Sequence, residues 1–212
     1  MRNYILLLIT FFVIGTASNL KAQVVKKDDI IIDTYYGFPN LYTVILKGAA
    51  LNSGYEKDVT VKGIGPLGLR GEYMISDNIG LGLEIGFNNT NLSYKEDVEE
   101  YNSNTNEYYT KTYTYEYNTH KPGFMFSFNY HFLKGADNFD AYFVVAAGYA
   151  KRKISFKSNN PNSINDVGVG LFPIAAKIGV GARYFFTQNL GLNVALGLGQ
   201  GGIINGGLSF KL

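Results

Sequence analysis

The sequence predicts an all-β protein: an eight-stranded antiparallel up-and-down transmembrane β-barrel. Three observations carry that prediction. Apolar side chains recur at every second residue over stretches of about ten residues, the length with which a tilted strand crosses a bilayer. The opposite face of the same stretches is small and polar, with isolated charges. The connections between them alternate between short and long, as in barrels that cross an outer membrane.

The N-terminal segment comes first. Arg2 gives a positive start, and Tyr4–Ile14 (YILLLITFFVI) is an apolar run of secretory length, short for a bilayer span. Small residues follow, so cleavage is expected after Ala17 or after Ala22. The expected organisation is a cleaved signal peptide over 1–22 and one barrel domain over 23–212. No later segment reaches 18 uninterrupted apolar residues, so no transmembrane helix is expected.

A first strand lies within 33–47 (DTYYGFPNLYTVILK). Its phase is ambiguous, and Pro39 belongs at a bulge or rim because it cannot donate to a ladder. The second strand, 67–75, sets Leu67, Leu69, Tyr73 and Ile75 against Arg70, Glu72 and Met74. After the turn at 76–78, the third sets Ile79, Leu81, Leu83, Ile85 and Phe87 against three glycines and Glu84. The fourth, 123–132, sets Phe124, Phe126, Phe128, Tyr130 and Phe132 against Met125, Ser127, Asn129 and His131. The fifth, 141–153, alternates less cleanly, with Phe143, Val145, Ala147 and Tyr149 as its apolar face. The sixth, 168–186, runs from Phe172 through Ile178 to Tyr184 on one face, with Lys177 and Arg183 on the other. The seventh, 190–199, alternates Leu and Val with Gly, Asn and Ala. The eighth ends the chain as IINGGLSFKL. Short connections fall near 76–78, 134–140 and 187–189, and longer polar ones near 48–62, 95–112 and 157–167, with a tight exception at 200–202. Both termini are therefore expected on the short-turn, periplasmic side.

Alternation does not say which face meets solvent, since a soluble lipocalin-like barrel also alternates. Two features decide. The apolar face is too bulky for an eight-stranded interior, which only just holds its side chains. The other face is mostly Gly, Ala, Ser and Asn, too sparse in charge for a water-exposed exterior. The apolar comb is thus expected to face lipid. Arg70, Glu72, Glu84, Lys177 and Arg183 then point into the lumen, where charges are tolerable only when paired. They are expected to form an ion-pair and hydrogen-bond network that plugs it. Tyr73, Phe132, Tyr184, Phe185, Phe186 and Phe210 fall at short-turn ends and are expected to form a periplasmic aromatic girdle.

Composition narrows the chemistry. A net charge of +2 gives no reason to expect nucleic acid. Charged residues are 17% of the chain, below the roughly 25% of soluble domains. The absence of cysteine excludes disulfides, thiolate metal sites and a lipidated N-terminal Cys. Only His120 and His131 are available as imidazole ligands, and the acidic run Glu96, Asp97, Glu99, Glu100 lacks Ca²⁺-loop spacing, so no metal and no cofactor are expected. No catalytic residue is expected: His131 adjoins the 134–140 turn, and TYEYNTHKPG around His120 and Glu116 offers no nucleophile, base and orienting group in order. Residues 94–117, acidic and then tyrosine-rich, read as a long hairpin protruding above the membrane. Loop 95–112 is a candidate surface for an extracellular ligand.

The ending LKAQ, the first strand YYGFPNLYT, the hairpin GPLGLRGEYMISDNIGLGLEIGF and the C-terminal GGLSFKL together resemble the small outer-membrane β-barrel proteins of Bacteroidota, a porin family with OmpX-like and OmpA-barrel-like members. The resemblance spans the mature chain and is architectural. It implies an outer-membrane location, contact with membrane lipid and lipopolysaccharide, and insertion by the barrel-assembly machinery. The chain departs from proteobacterial barrels in ending on Leu212 instead of Phe, with Phe210 two places earlier on the same face. The expected role is envelope integrity or surface presentation. A passive small-solute channel and a soluble ligand-binding barrel are the alternatives.

Overall fold

The computed structural model describes residues 24–53, 57–133, 136–163, 167–169, 173–199 and 202–212. The expected signal segment, both cleavage sites and Phe172 lie outside the described residues. The elements are β1 (Ile30–Phe38), α1 (Leu41–Ser53), β2 (Lys57–Met74), β3 (Ile79–Asn102), β4 (Glu107–His131), β5 (Phe139–Ala150), β6 (Lys153–Ser158), β7 (Val167–Val169), β8 (Ile174–Phe185), β9 (Leu190–Gly199) and β10 (Ile204–Lys211).

Eight of these strands close a ring in the order β1–β2–β3–β4–β5–β8–β9–β10, every pairing antiparallel. The seam joins the two ends of the chain, with Ile31 opposite Lys211 and Phe38 opposite Ile204. Closure removes the free edges that an open sheet would carry. β6 and β7 pair above β5 and β8, along the upper half of β4. The barrel expected from the alternation is the observed fold.

Side chains alternate as the sequence pattern requires. Leu81, Leu83 and Ile85 are about half exposed on the outside, while Glu84 between them is fully buried. Phe124, Phe126 and Phe128 on β4, Ile178 and Val180 on β8, and Leu192, Val194 and Leu196 on β9 continue the outer belt. The bare inner positions have a steric reason. A Cβ on Gly80 would overlap the Glu72 carboxyl, one on Gly68 the Tyr35 hydroxyl, and one on Gly181 the Tyr142 ring. Small residues there leave room for large side chains reaching across from neighbouring strands.

Three expectations are corrected. The first strand is not 33–47 but β1, which ends at Phe38; Pro39 sits at the rim, and residues 41–53 form a helix. Asn40 starts that helix: its side-chain oxygen accepts from the amides of Tyr42 at 3.1 Å and Thr43 at 3.3 Å, as an N-cap does. The helix seats on the long-loop mouth, where Asn40 donates to the Asn88 side chain at 3.0 Å and Thr43 meets Thr90 at 3.3 Å. Second, the connection expected near 95–112 is mostly strand, as the reading of 94–117 as a long hairpin has it. β3 and β4 stay paired up to Asn102 opposite Glu107, forming a ribbon with a short turn at its tip. Third, Phe185 points inward and is fully buried with Val25, Ile31 and Met74, so it is a floor residue and not part of the girdle. Its strand parity opposes that of Tyr184, and the run of three aromatics at 184–186 hid the distinction.

Candidate functional site

The lumen is filled in layers. At the short-turn end, the floor of Val25, Ile31, Met74 and Phe185 brings the N-terminal segment into the mouth of the barrel. Lys211 ties that segment down, its Nζ donating to the Val24 carbonyl at 2.6 Å.

Above the floor lies an ion cluster centred on Arg183. Its Nη1 donates to Asp140 at 2.8 Å, and its Nη2 donates to Asp33 at 2.8 Å and Glu72 at 2.5 Å. Arg70 donates from Nε to Asp33 at 3.0 Å and also from Nη2, and Ser209 completes the Asp33 shell. The Tyr142 ring lies beneath both guanidinium groups, 4.8 Å from Arg70 and 4.3 Å from Arg183, and its hydroxyl accepts from Arg70. His131 spans two carboxylates, Nδ1 to Asp140 at 2.8 Å and Nε2 to Glu72 at 2.9 Å. A neutral imidazole has one donor, so donation to both carboxylates takes the imidazolium form. The cluster then balances Arg70, Arg183 and His131 against Asp33, Glu72 and Asp140, which is what burial of so many charges demands.

One layer up, Glu84 accepts from Lys177 at 3.0 and 3.1 Å and from the Tyr35 hydroxyl at 2.8 Å. Asp33, Arg70 and Glu84 stand in one cross-strand row on β1, β2 and β3. Arg70 turns to Asp33, and Lys177 reaches Glu84 from β8. All five residues expected in the network are buried in the lumen, each with an opposite charge beside it. The sequence reading missed Asp33, His131, Asp140, Tyr35 and Tyr142. His131 and Asp33 carried a usable signal. His131 was already on the polar face of its strand, and an Asp inside an otherwise apolar strand must find a buried partner.

A cavity of about 10 Å³ beside Tyr35, Lys177 and Asn205 holds roughly one water. Among the described residues, the Ser127 hydroxyl and the Asn129 amide are buried without a hydrogen-bond partner. Among the described residues, no three His, Cys, Asp or Glu side chains are arranged to hold a metal ion.

The expected girdle residues lie on the outer face near the short-turn end: Tyr73, Phe132, Tyr184, Phe186 and Phe210 are all exposed. Tyr73 also donates to Asp28 at 2.8 Å. His120 is exposed on the opposite end of the outer face, its ring 5.6 Å from that of Phe87.

On the ribbon, Glu100 accepts from Tyr109 at 2.6 Å and also from Tyr113, with Lys111 at 3.8 Å. The two tyrosine hydrogen bonds hold its carboxyl below the ordinary value, Lys111 adding to them. A lowered folded-state value means that this contact is present above the ordinary pKa and is lost as the pH falls through the lowered one. The NMR carboxyl signal of Glu100 is therefore expected to titrate below 4.5, with the Tyr109 ring signal moving in step. Titration at or above 4.5, or an unmoved Tyr109 signal, contradicts it.

No protein-family model matches the chain, and no curated protein does. Solved structures similar to it include the N-terminal β-barrel domain of Pseudomonas aeruginosa OprF, at 19% identity and a TM-score of 0.48, over 88% of this chain and 99% of that one. Another is the Pseudomonas aeruginosa outer-membrane protein OprG, at 12% identity and 0.41, over 91% and 99%. A third is Ail, the attachment invasion locus protein of Yersinia pestis, at 12% and 0.33, over 88% and 99%. These neighbours are outer-membrane β-barrel proteins.

Proposed function

We propose that this chain is an outer-membrane β-barrel protein with a closed lumen, serving envelope integrity and the display of its β3–β4 ribbon at the surface. The observation that carries this reading is the inversion of the usual soluble pattern. The outer face is a continuous apolar belt, while the interior holds two arginines, a lysine, a histidine and four carboxylates. In water such a surface invites aggregation. In lipid it is the favourable one, and a closed sheet satisfies its own backbone there. A soluble ligand-binding barrel needs the reverse arrangement.

Under this reading the long-loop end, with α1 and the ribbon, is extracellular, and both termini are periplasmic. An N-terminal signal directs export, and the partners are membrane lipid, lipopolysaccharide and, during insertion, the barrel-assembly machinery. The ribbon, with Tyr101 and Tyr108 exposed at its tip, is the part available to an extracellular ligand. The chain performs no catalysis in this reading: among the described residues, the charged groups of the two lumen layers are each engaged by an opposite charge.

The test combines membrane fractionation and a heat-modifiability gel with planar-bilayer conductance. The wild type is expected in the outer-membrane fraction, to shift mobility on boiling, and to show no stable large conductance. Glu84→Gln and Arg70→Ala are each expected to lower resistance to urea without opening a wide pore. A stable, wide wild-type channel contradicts the closed lumen, and recovery as a soluble monomer contradicts the membrane reading.

A further inference from the structure

The outer belt ends differently around the ring. On β1, β8, β9 and β10 the long-loop end stays apolar, with Phe38, Ile174, Leu198 and Ile204 exposed. On β3, β4 and β6 the belt stops at Phe87 and Pro122, and two largely polar rows follow directly above, while on β2 exposed Ile64 carries the apolar face one row further. One row aligns Ile64, Asn89, His120 and Lys153; the next aligns Lys62, Asn91, Asn118 and Ser155. Strand parity puts these side chains on the same outward face as the belt. Lys62, His120 and Lys153 are exposed, and Lys151 is exposed in the break between β5 and β6, while Arg152 turns away to stack on Tyr42 at 3.7 Å. Asn91 donates to Asn118 at 2.6 Å, fixing the polar floor between the lysines. These two rows contain no carboxylate. The nearest acidic side chain on this face, Glu116, stands opposite Lys157 in the row above.

From this juxtaposition we propose that the arc of Lys62, Lys151 and Lys153 around His120 binds the phosphate-bearing headgroup of an anionic lipid whose acyl chains lie on the belt beneath. The charge supplies the headgroup attraction, and the continuity of the arc with Phe87, Ile85 and Phe124 supplies the chains' surface. A soluble anion would use only the first. The proposal rests on the membrane reading above and adds which lipid class is held and where. Each lysine near an anionic lipid surface contributes attraction equivalent to about fivefold in binding.

The test uses the full chain inserted in phosphatidylcholine vesicles with and without lipid A, then extracted in mild detergent, with retained lipid counted by mass spectrometry. Wild type is expected to retain lipid A over phosphatidylcholine. Lys62→Glu and Lys153→Glu are each expected to lower that retention about fivefold or more, with heat-modifiability unchanged. Competing inorganic phosphate is expected to leave it unchanged. Equal retention of the two lipids by wild type, full retention by the variants, or displacement by free phosphate overturns the proposal while leaving the membrane reading standing. Failure to insert into any vesicle overturns both.

Discussion

Arg183→Ala is expected to be the most damaging single substitution in the lumen. Arg183 is fully buried and donates to Asp33, Glu72 and Asp140, side chains from three different strands. Removing it leaves three buried carboxylates facing Arg70 and His131 alone. Breaking a buried pair by deleting one partner typically costs about 3–5 kcal/mol, because the other charge stays buried without compensation. The loss here falls at or beyond the upper end of that span, since one cation serves three anions. Urea titration in detergent, followed by the heat-modifiability shift, measures it. A variant as resistant as wild type contradicts the hub role of Arg183. Arg183→Lys is expected to recover part of the loss: it restores the charge but not the planar fork that reaches three partners at once.

The second large effect concerns the outside. Phe126 lies in the middle row of the belt, opposite Leu83 on β3 and Ala147 on β5, with two further apolar rows on either side along β3 and β4. Phe126→Arg is expected to cost about 2–4 kcal/mol in a bilayer, the penalty for arginine at the midplane of a barrel's lipid face. The same change at Tyr130, beside the short-turn end and opposite Ile79, is expected to cost only about 0–1 kcal/mol. The gradient is the discriminating result. Folding free energies measured in vesicles give both values, and equal penalties at the two depths would mean that the belt does not face hydrocarbon.

The fold was legible because a membrane barrel writes its two environments into alternate residues. Leu81, Leu83 and Ile85 against Gly80, Gly82 and Glu84 leave one arrangement open once lumen volume is considered. The first strand was less legible because Tyr35 and Tyr36 suit either face, so parity alone did not mark Asp33 as interior. The helix at 41–53 was hidden for a related reason. Val44, Ile45 and the other apolar residues of LYTVILK match a strand locally, and what ends the strand is the Pro39–Asn40 stop and cap. The lumen network was half visible: its cations are in long, regular strands, but the partners Asp33 and Asp140 lie near strand beginnings, where periodicity has too few residues to fix a phase. His131 has the parity of a lumen residue, and its place at the end of β4 masks in the sequence how deeply it is buried.

The Arg183 cluster also bears on how the chain can assemble. Its members come from β1, β2, β4, β5, β8 and β10, the first and last strands of the ring among them. Asp33 with Arg70 and Asp140 with Arg183 can pair between neighbouring strands of an open sheet, but the contacts of Arg183 with Asp33 and Glu72 across the lumen wait until the seam between β1 and β10 closes. A one-residue slip in any of these strands would send its polar residue out to hydrocarbon and bring a Leu or Phe into the crowded interior. The cluster thus works as a lock with a single key: correct register in six strands at once releases the electrostatic penalty, and every near-miss retains it.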